Sequence, residues 1–181
     1  FSHPVYPFPF LLSMLALVSP SCYTKPELLS AKEEPALTIH ERMADKNIQL
    51  PEPPPRGGLY TPCKLFSGNL AYISGCGPDL PDAPMPKGKL GKEVSLEEGQ
   101  RAAHNCILNA IAVLQREIGD LGRVKSIAKI LVFVASGNEF YQQPQVANGA
   151  SQLLMDIFGE EIGCPARSAI GVNVLPGNIP V

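Results

Sequence analysis

Fifteen of the nineteen prolines in this 181-residue chain fall at or before residue 86. Proline lacks the backbone donor that a helix interior or a central strand needs, and its ring clashes with the preceding helical turn. Long regular elements are therefore confined to the second half, and the first half must be built from short pieces. Residues 1–36 carry Pro4, Pro7, Pro9, Pro20, Pro26 and Pro35 and show no sustained hydrophobic period. The nine-residue apolar run Phe10–Val18 is too short to cross a bilayer as a helix, so no membrane span is expected. It has the length of a signal-peptide apolar region, but no basic residue precedes it. We read 1–36 as a leader or disordered extension and 37–181 as the folded domain. A cytoplasmic or organellar location suits that domain, and a secretory one would follow if the apolar run acts as a leader.

The formal net charge of -2 gives no electrostatic case for a nucleic-acid partner. Arg123, Lys125 and Lys129 lie close together, but so short a run reads as a solvated strand edge. Five cysteines at irregular spacing match neither a metal knuckle nor a complete disulfide framework. Of the histidines, only His104 falls in the expected catalytic region, with His3 and His40 outside it. No metal site is expected.

Thr38 with Glu41 three positions on marks a helix start, and Ile39 and Met43 give residues 38–48 a modest apolar face. Four prolines and two glycines between Pro51 and Gly58 read as a linker. Leu59–Phe66 and Leu70–Ser74 are strand candidates, and Ser67, Gly68 and Asn69 between them suit a tight turn. Gly75 and Gly77 follow, where backbone N–H groups could be left free for a ligand. Leu80–Lys92 is expected to be a surface loop. Ser95 with Glu98 opens a long helix whose apolar positions include Ala103, Ile107, Ala110, Leu114 and Ile118, and Gly119 closes it. Cys106 falls inside this pattern, where a thiol acts as a small hydrophobe.

Val124–Val134 is almost uninterrupted in apolar, often β-branched residues, as expected of a strand buried on both faces, or on one face and in a subunit contact. A second helix begins near Pro144, with Val146, Ala150, Leu153, Leu154 and Ile157 inward and Gly159 as its stop. In the last strand, Ala166–Val174, the residues Ala166, Ser168, Ile170 and Val172 share one face. Arg167, Ala169 and Gly171 share the other, so the arginine is flanked by small side chains. A guanidinium so placed can hold a planar carboxylate by two parallel hydrogen bonds, or form an ordinary salt bridge. The order hairpin, helix, strand, helix, strand predicts an α+β domain: a mixed β-sheet with two helices packed on one face. Its other face would need cover, which further copies of the chain could supply.

Three segments in this order resemble the RidA, or YjgF-like (endoribonuclease L-PSP), family: Gly68-Asn-Leu-Ala-Tyr-Ile-Ser-Gly75, Asn148-Gly-Ala-Ser-Gln-Leu-Leu154 and Pro165-Ala-Arg-Ser-Ala169. Gly91-Lys-Glu-Val-Ser-Leu-Glu-Glu-Gly-Gln100 and Leu131-Val-Phe-Val-Ala-Ser136 are similar to its chorismate-mutase-like subgroup, a label that describes a fold and not mutase activity. The resemblance implies the YjgF-like fold and a homotrimer with clefts between subunits. It also implies cofactor-independent hydrolysis of reactive 2-enamino or 2-imino acids to 2-oxo acids and ammonia. Arg167, Tyr60 and Asn148 would be the catalytic residues. Arg167, the Gly75 backbone and Ala169 would contact the carboxylate-bearing substrate.

Three departures accompany the resemblance. Ala169 stands where the best-known branch carries cysteine, and Cys76 where glutamine is common. The family continues from its Leu-Pro turn into a final strand with an acidic residue, whereas this sequence ends at Val181, so the domain is expected to lack that strand. The main alternative is a non-catalytic homotrimer that binds or senses small carboxylates. The ribonuclease label attached to parts of the family fits poorly with the acidic balance. A mutase acting on a dicarboxylate would need more cationic contacts than one compelling arginine.

Overall fold

Thr38 and Ser95 each close a reciprocal capping box with the glutamate three residues on, Glu41 and Glu98. Two of the three helices thus begin where their sequence signals stand. In the computed structural model, residues 37–81, 83 and 86–181 are described; the expected leader or extension lies outside them. Helix α1 covers Ile39–Asp45, α2 covers Leu96–Ile118 and α3 covers Gln143–Gly163. Gly119 adopts φ 81 just past α2, a left-handed conformation that glycine enters without steric cost. Gly159 also turns left-handed, at φ 75 and ψ 169, but it breaks α3 without ending it, and a last turn follows to Gly163.

Strands β1 (Cys63–Phe66) and β2 (Leu70–Ile73) form the expected antiparallel hairpin. Its turn uses left-handed Ser67 and Gly68, at φ 52 and 75. The first strand is shorter than its apolar run suggested, because it begins only after Pro62. Strands β3 (Lys129–Ala135) and β4 (Ala166–Val172) pair in parallel, with Lys129 opposite Ala166 and Ala135 opposite Val172. Antiparallel and parallel pairing are both present, in two separate two-stranded ladders. Ile179 sits against Gly77, just past β2, and the Pro180 carbonyl accepts from Ala135 N (2.9 Å) at the end of β3.

The register of β3 and β4 decides which residues face the helices. Ile130, Val132 and Val134 stand opposite Arg167, Ala169 and Gly171. Val132 and Val134 are buried in one core cluster with Ala102, Ala103, Val146, Ala147 and Ala150 of α2 and α3. The helices therefore cover the face that carries Arg167. Leu131 (49% exposed), Phe133 (43%) and Ile170 (43%) share the opposite, open face. Of the two arrangements expected for β3, burial on both faces is not seen within the chain; one face is buried and the other is apolar and open.

Two further expectations change. The segment Leu80–Lys92 is not wholly a surface loop, since Leu90 is fully buried. Its N–H donates to the Ala135 carbonyl (2.8 Å) and its carbonyl accepts from Gly137 N (2.9 Å), so Leu90 is fastened at the end of β3. Helix α1 lies in the compact unit Leu37–Val181, with Ile39 and Met43 packed on a second core cluster around Leu108, Leu121, Leu154 and Phe158. His40, read as lying outside the catalytic domain, is part of this unit and pairs with Asp120 at 3.4 Å. The basic run is engaged locally: Arg123 donates to the Ile118 carbonyl (2.6 Å) and Lys129 to Ser168 Oγ (2.8 Å). Among the described residues no helix is long and apolar enough to cross a membrane.

The two long helices meet without room for side chains at their crossing. A Cβ on Gly149 would collide with the backbone of Gln100, and one on Gly99 would stand against Leu90 and Val146. In an open helix, alanine in place of glycine stabilises by roughly 0.5–1 kcal/mol. Here overpacking should outweigh that gain at about 1–3 kcal/mol. Gly149→Ala is therefore expected to destabilise the domain in urea unfolding, and an increase in midpoint would refute the close approach.

Candidate functional site

Two groups of residues carry the expected chemistry, and they occupy different parts of the protomer. The first surrounds a cavity of about 180 Å³ whose lining includes Pro54, Tyr60, Ser74, Gly75, Cys76 and Gly77. Tyr60 and Gly75 are thus brought together. The proline-rich segment read as a linker supplies one wall of this cavity through Pro54, Pro55 and Gly57. Gly57 N donates weakly to Tyr60 Oη at 3.4 Å, and the aromatic ring lies over Gly57 and Gly58. Nothing stands within 4 Å of where a Cβ on Gly75 would be, so the backbone there borders open space.

The loop Gly75–Asp79 is held from behind by two asparagines that the apolar pattern of α2 did not disclose. Asn109 Nδ2 donates to the carbonyls of Gly77 (2.9 Å) and Asp79 (3.0 Å), and Asn105 Nδ2 donates to the carbonyl of Pro78 (3.2 Å). Both asparagines are buried, at 5% and 4% exposed, and stand one helical turn apart on the same face. Their spacing was visible; that they point inward is decided by where the loop passes. Three successive carbonyls are thereby turned toward α2. Among the described residues no acceptor takes the N–H of Gly75, Cys76 or Gly77. Such backbone donors at a cavity wall suit a ligand oxygen carrying negative charge.

Ser74 closes the base of the hairpin, with its N–H donating to the Pro62 carbonyl (2.8 Å) and its hydroxyl to the Thr61 carbonyl (2.7 Å). Cys76 Sγ donates to the Ser74 carbonyl at 3.5 Å, and burial pushes its thiol up from the ordinary range. Burial raises Cys106 still further, and that side chain packs as a hydrophobe against the core and donates to the Val181 carbonyl at 3.6 Å. Neither thiol is a ready nucleophile at neutral pH.

The second group centres on β4. Arg167 Nη1 donates to Asn148 Oδ1 (2.9 Å) and to Ser151 Oγ (3.0 Å), both from α3. Asn148 and Arg167 are thus hydrogen-bonded neighbours. Ser151 is an addition; it was part of a quoted segment, but only the packing of α3 over β4 shows what it touches. Ala169, two residues on along the same face, packs against the core cluster around Val132 and Val146. None of Arg167, Asn148 and Ala169 lines the cavity of Tyr60 and Gly75. No described carboxylate pairs with Arg167, and no described cluster of three or more His, Cys, Asp or Glu side chains could hold a metal ion. Cys164 lies exposed at the turn before β4.

A helix-covered parallel strand pair, a hairpin leading into a glycine loop and an arginine on the last strand define one class of protein. The family profile described as "YjgF/chorismate_mutase-like, putative endoribonuclease" matches residues 40–179, and the chain belongs to this family. Among curated proteins, protein TCP17 of Trypanosoma cruzi is 44% identical over 112 residues, covering 62% of this chain and 70% of that protein. Of solved structures, the Agrobacterium tumefaciens protein Atu1372, described as of unknown function, is 35% identical with a TM-score of 0.69, over 79% of this chain and 86% of that one. A "putative endoribonuclease" from Shewanella oneidensis is 31% identical with a TM-score of 0.74, over 80% and 94%.

Asn109→Ala should leave the Gly77 and Asp79 carbonyls without their buried donor, at a cost of about 1–3 kcal/mol. The loop should then open, and alkylation of Cys76 by iodoacetamide at pH 8 should quicken relative to wild type. Peptide mapping by mass spectrometry separates Cys76 from the other cysteines. Unchanged stability together with unchanged labelling would show that the clamp does not hold the loop.

Proposed function

We propose that this protein hydrolyses reactive 2-imino or 2-enamino acids to 2-oxo acids and ammonia, in a homotrimer and without a cofactor. The observation that carries this reading is Arg167, a half-buried guanidinium fixed by neutral oxygens and paired with no described carboxylate. A cation kept without an internal counter-ion is suited to receive an anionic substrate group. On this reading Arg167 binds the substrate carboxylate, Asn148 steadies it, and Tyr60 with the Gly75 backbone borders the reacting end. Ala169 leaves space beside the arginine.

The chemistry asks little of ionisable groups. A protonated imine carbon is already electrophilic, so a positioned water can add to it without a strong base. The water oxygen forms the new C–O bond, and its protons pass to nitrogen. The C–N bond then breaks, the nitrogen leaves as ammonium, which is ammonia with the proton the imine carried, and the carbonyl of the 2-oxo acid remains. The backbone N–H groups of Gly75, Cys76 and Gly77, which have no acceptor among the described residues, are suited to orient that water or the oxygen it becomes.

Self-association supplies what one protomer keeps apart. The Tyr60 cavity does not include Arg167, and both strand pairs expose large apolar side chains: Leu65, Phe66, Leu70 and Tyr72 on the hairpin, Leu131, Phe133 and Ile170 on β3 and β4. Exposed apolar surface of this extent favours burial against other copies. A trimer that covers these strands supports a shared cleft in which Tyr60 and Gly75 of one subunit meet Arg167 and Asn148 of another. The second reading, a trimer that binds small carboxylates without turnover, is favoured by one observation: Ala169 packs into the core and offers no reactive group.

The decisive assay follows 2-oxobutanoate release from freshly generated 2-iminobutanoate. Wild type should accelerate it over the uncatalysed rate, and Arg167→Ala should lose about tenfold or more of that effect through the missing charged hydrogen bonds. No acceleration by folded wild type that still binds 2-oxobutanoate would favour the binding reading. For the assembly, Phe133→Glu places a charge on the open apolar face and should yield a smaller species by light scattering, with activity lost in parallel. A trimer unaffected by that change would exclude this face from the interface.

A further inference from the structure

The hydrogen-bonding of Arg167 is lopsided. A guanidinium can grip a carboxylate by two forks, one end-on through both Nη atoms and one side-on through Nε and Nη2. Nη1 carries two hydrogens, and both acceptors on this group, Asn148 Oδ1 at 2.9 Å and Ser151 Oγ at 3.0 Å, are on Nη1. Its capacity to donate is therefore used up within the fold. Among the described residues neither Nε nor Nη2 has a partner. Asn148 and Ser151 are three residues apart on α3, so they present their oxygens from one helix face. Between them, Gly149 permits the contact with α2 that seats this helix over the sheet.

We infer that Ser151 is a positioning residue for the proposed reaction: with Asn148 it occupies Nη1 and so makes the Nε/Nη2 edge of Arg167 the one that receives the carboxylate of a 2-imino or 2-oxo acid. Asn148 alone would satisfy one hydrogen of Nη1 and leave the other able to compete for the ligand end-on. The serine hydroxyl removes that competing orientation. Lysine could not replace Arg167 here, because a single ammonium has no planar fork to be aligned. This inference rests on the reading of Arg167 as the carboxylate receptor.

Three measurements test the two ideas separately. Arg167→Ala is expected to abolish measurable binding of 2-oxobutanoate by calorimetry; unchanged affinity there overturns the receptor reading itself. Given that loss, Ser151→Ala should weaken 2-oxobutanoate binding and raise KM for 2-iminobutanoate by about two- to tenfold, the range expected of one hydrogen bond, with kcat changed less. Ser151→Thr, which restores the hydroxyl, should recover most of the affinity. If Ser151→Ala binds as wild type does, or if it weakens binding and threonine does not rescue it, serine does not position the arginine. The third measurement is read on the wild-type protein, with one variant used only for assignment. In the wild-type protein, the Arg167 Nε–H resonance, assigned by its absence in Arg167→Lys, should move downfield on saturation with 2-oxobutanoate. A resonance that stays in place under saturation excludes the side-on edge.

Discussion

The crossing of α2 and α3 is the constraint on which the rest of the domain depends. Gly149 lies against the Gln100 backbone, and Gly99 lies against Leu90 and Val146, so the helices approach at a distance that no side chain would permit. Dispersion and apolar burial reward such closeness only when small residues continue on both sides, as Ala102, Ala103, Ala147 and Ala150 do. The same seating brings α3 down over β4. From there Asn148 and Ser151 reach Arg167 with hydrogen-bond lengths near 3 Å. One short stretch thus does two things: its glycine seats the helix, and the residues on either side of it hydrogen-bond the arginine.

The cavity side is organised by polar burial. An amide side chain taken out of water needs its hydrogen bonds returned, and Asn105 and Asn109 obtain theirs from the Gly77, Pro78 and Asp79 carbonyls. The arrangement is mutual, since those carbonyls in turn depend on the helix. What it leaves over is a set of backbone donors from Gly75 to Gly77 at the edge of a small cavity. Cys76 and Cys106 lie in the same region, and burial holds both as thiols. The chemistry available here is that of oriented dipoles and not of a strong base or nucleophile. This is consistent with a reaction whose substrate brings its own electrophile.

The sheet presents an unusual division of faces. Arg167 is on the side covered by helices, while Leu131, Phe133 and Ile170 are on the open side. Alternation along β4 showed that the arginine and the large apolar residues point apart, but alternation alone has no sign. Small residues at 169 and 171 explain how the arginine fits underneath: a Cβ at Gly171 would already press on Gln143 and Ser136. The open face accordingly keeps the apolar residues that association of copies can bury.

Local signals that depend on a few neighbouring residues were legible in the sequence. The capping boxes at Thr38 and Ser95, the left-handed turn at Ser67 and Gly68, the ending at Gly119 and the period of α2 and α3 all follow from backbone chemistry within one or two turns. The family segments likewise singled out Arg167 and Asn148, and the hydrogen bond between them is a finding of the structure. What the sequence could not carry was long-range. Leu90 looked like part of a loop because the residues that fasten its backbone, Ala135 and Gly137, and those that bury its side chain, such as Val134 and Val146, lie some 45 residues or more away. The inward turn of Asn105 and Asn109 depends on a loop about 30 residues earlier, and the role of Ser151 depends on a strand 16 residues later. Residue type and spacing determined which helices and strands this chain can make. Only tertiary packing decided which face of β4 is covered, which asparagines are clamps and which nitrogen of Arg167 is already taken, because each of those is set by a neighbour that is near in space and distant along the chain.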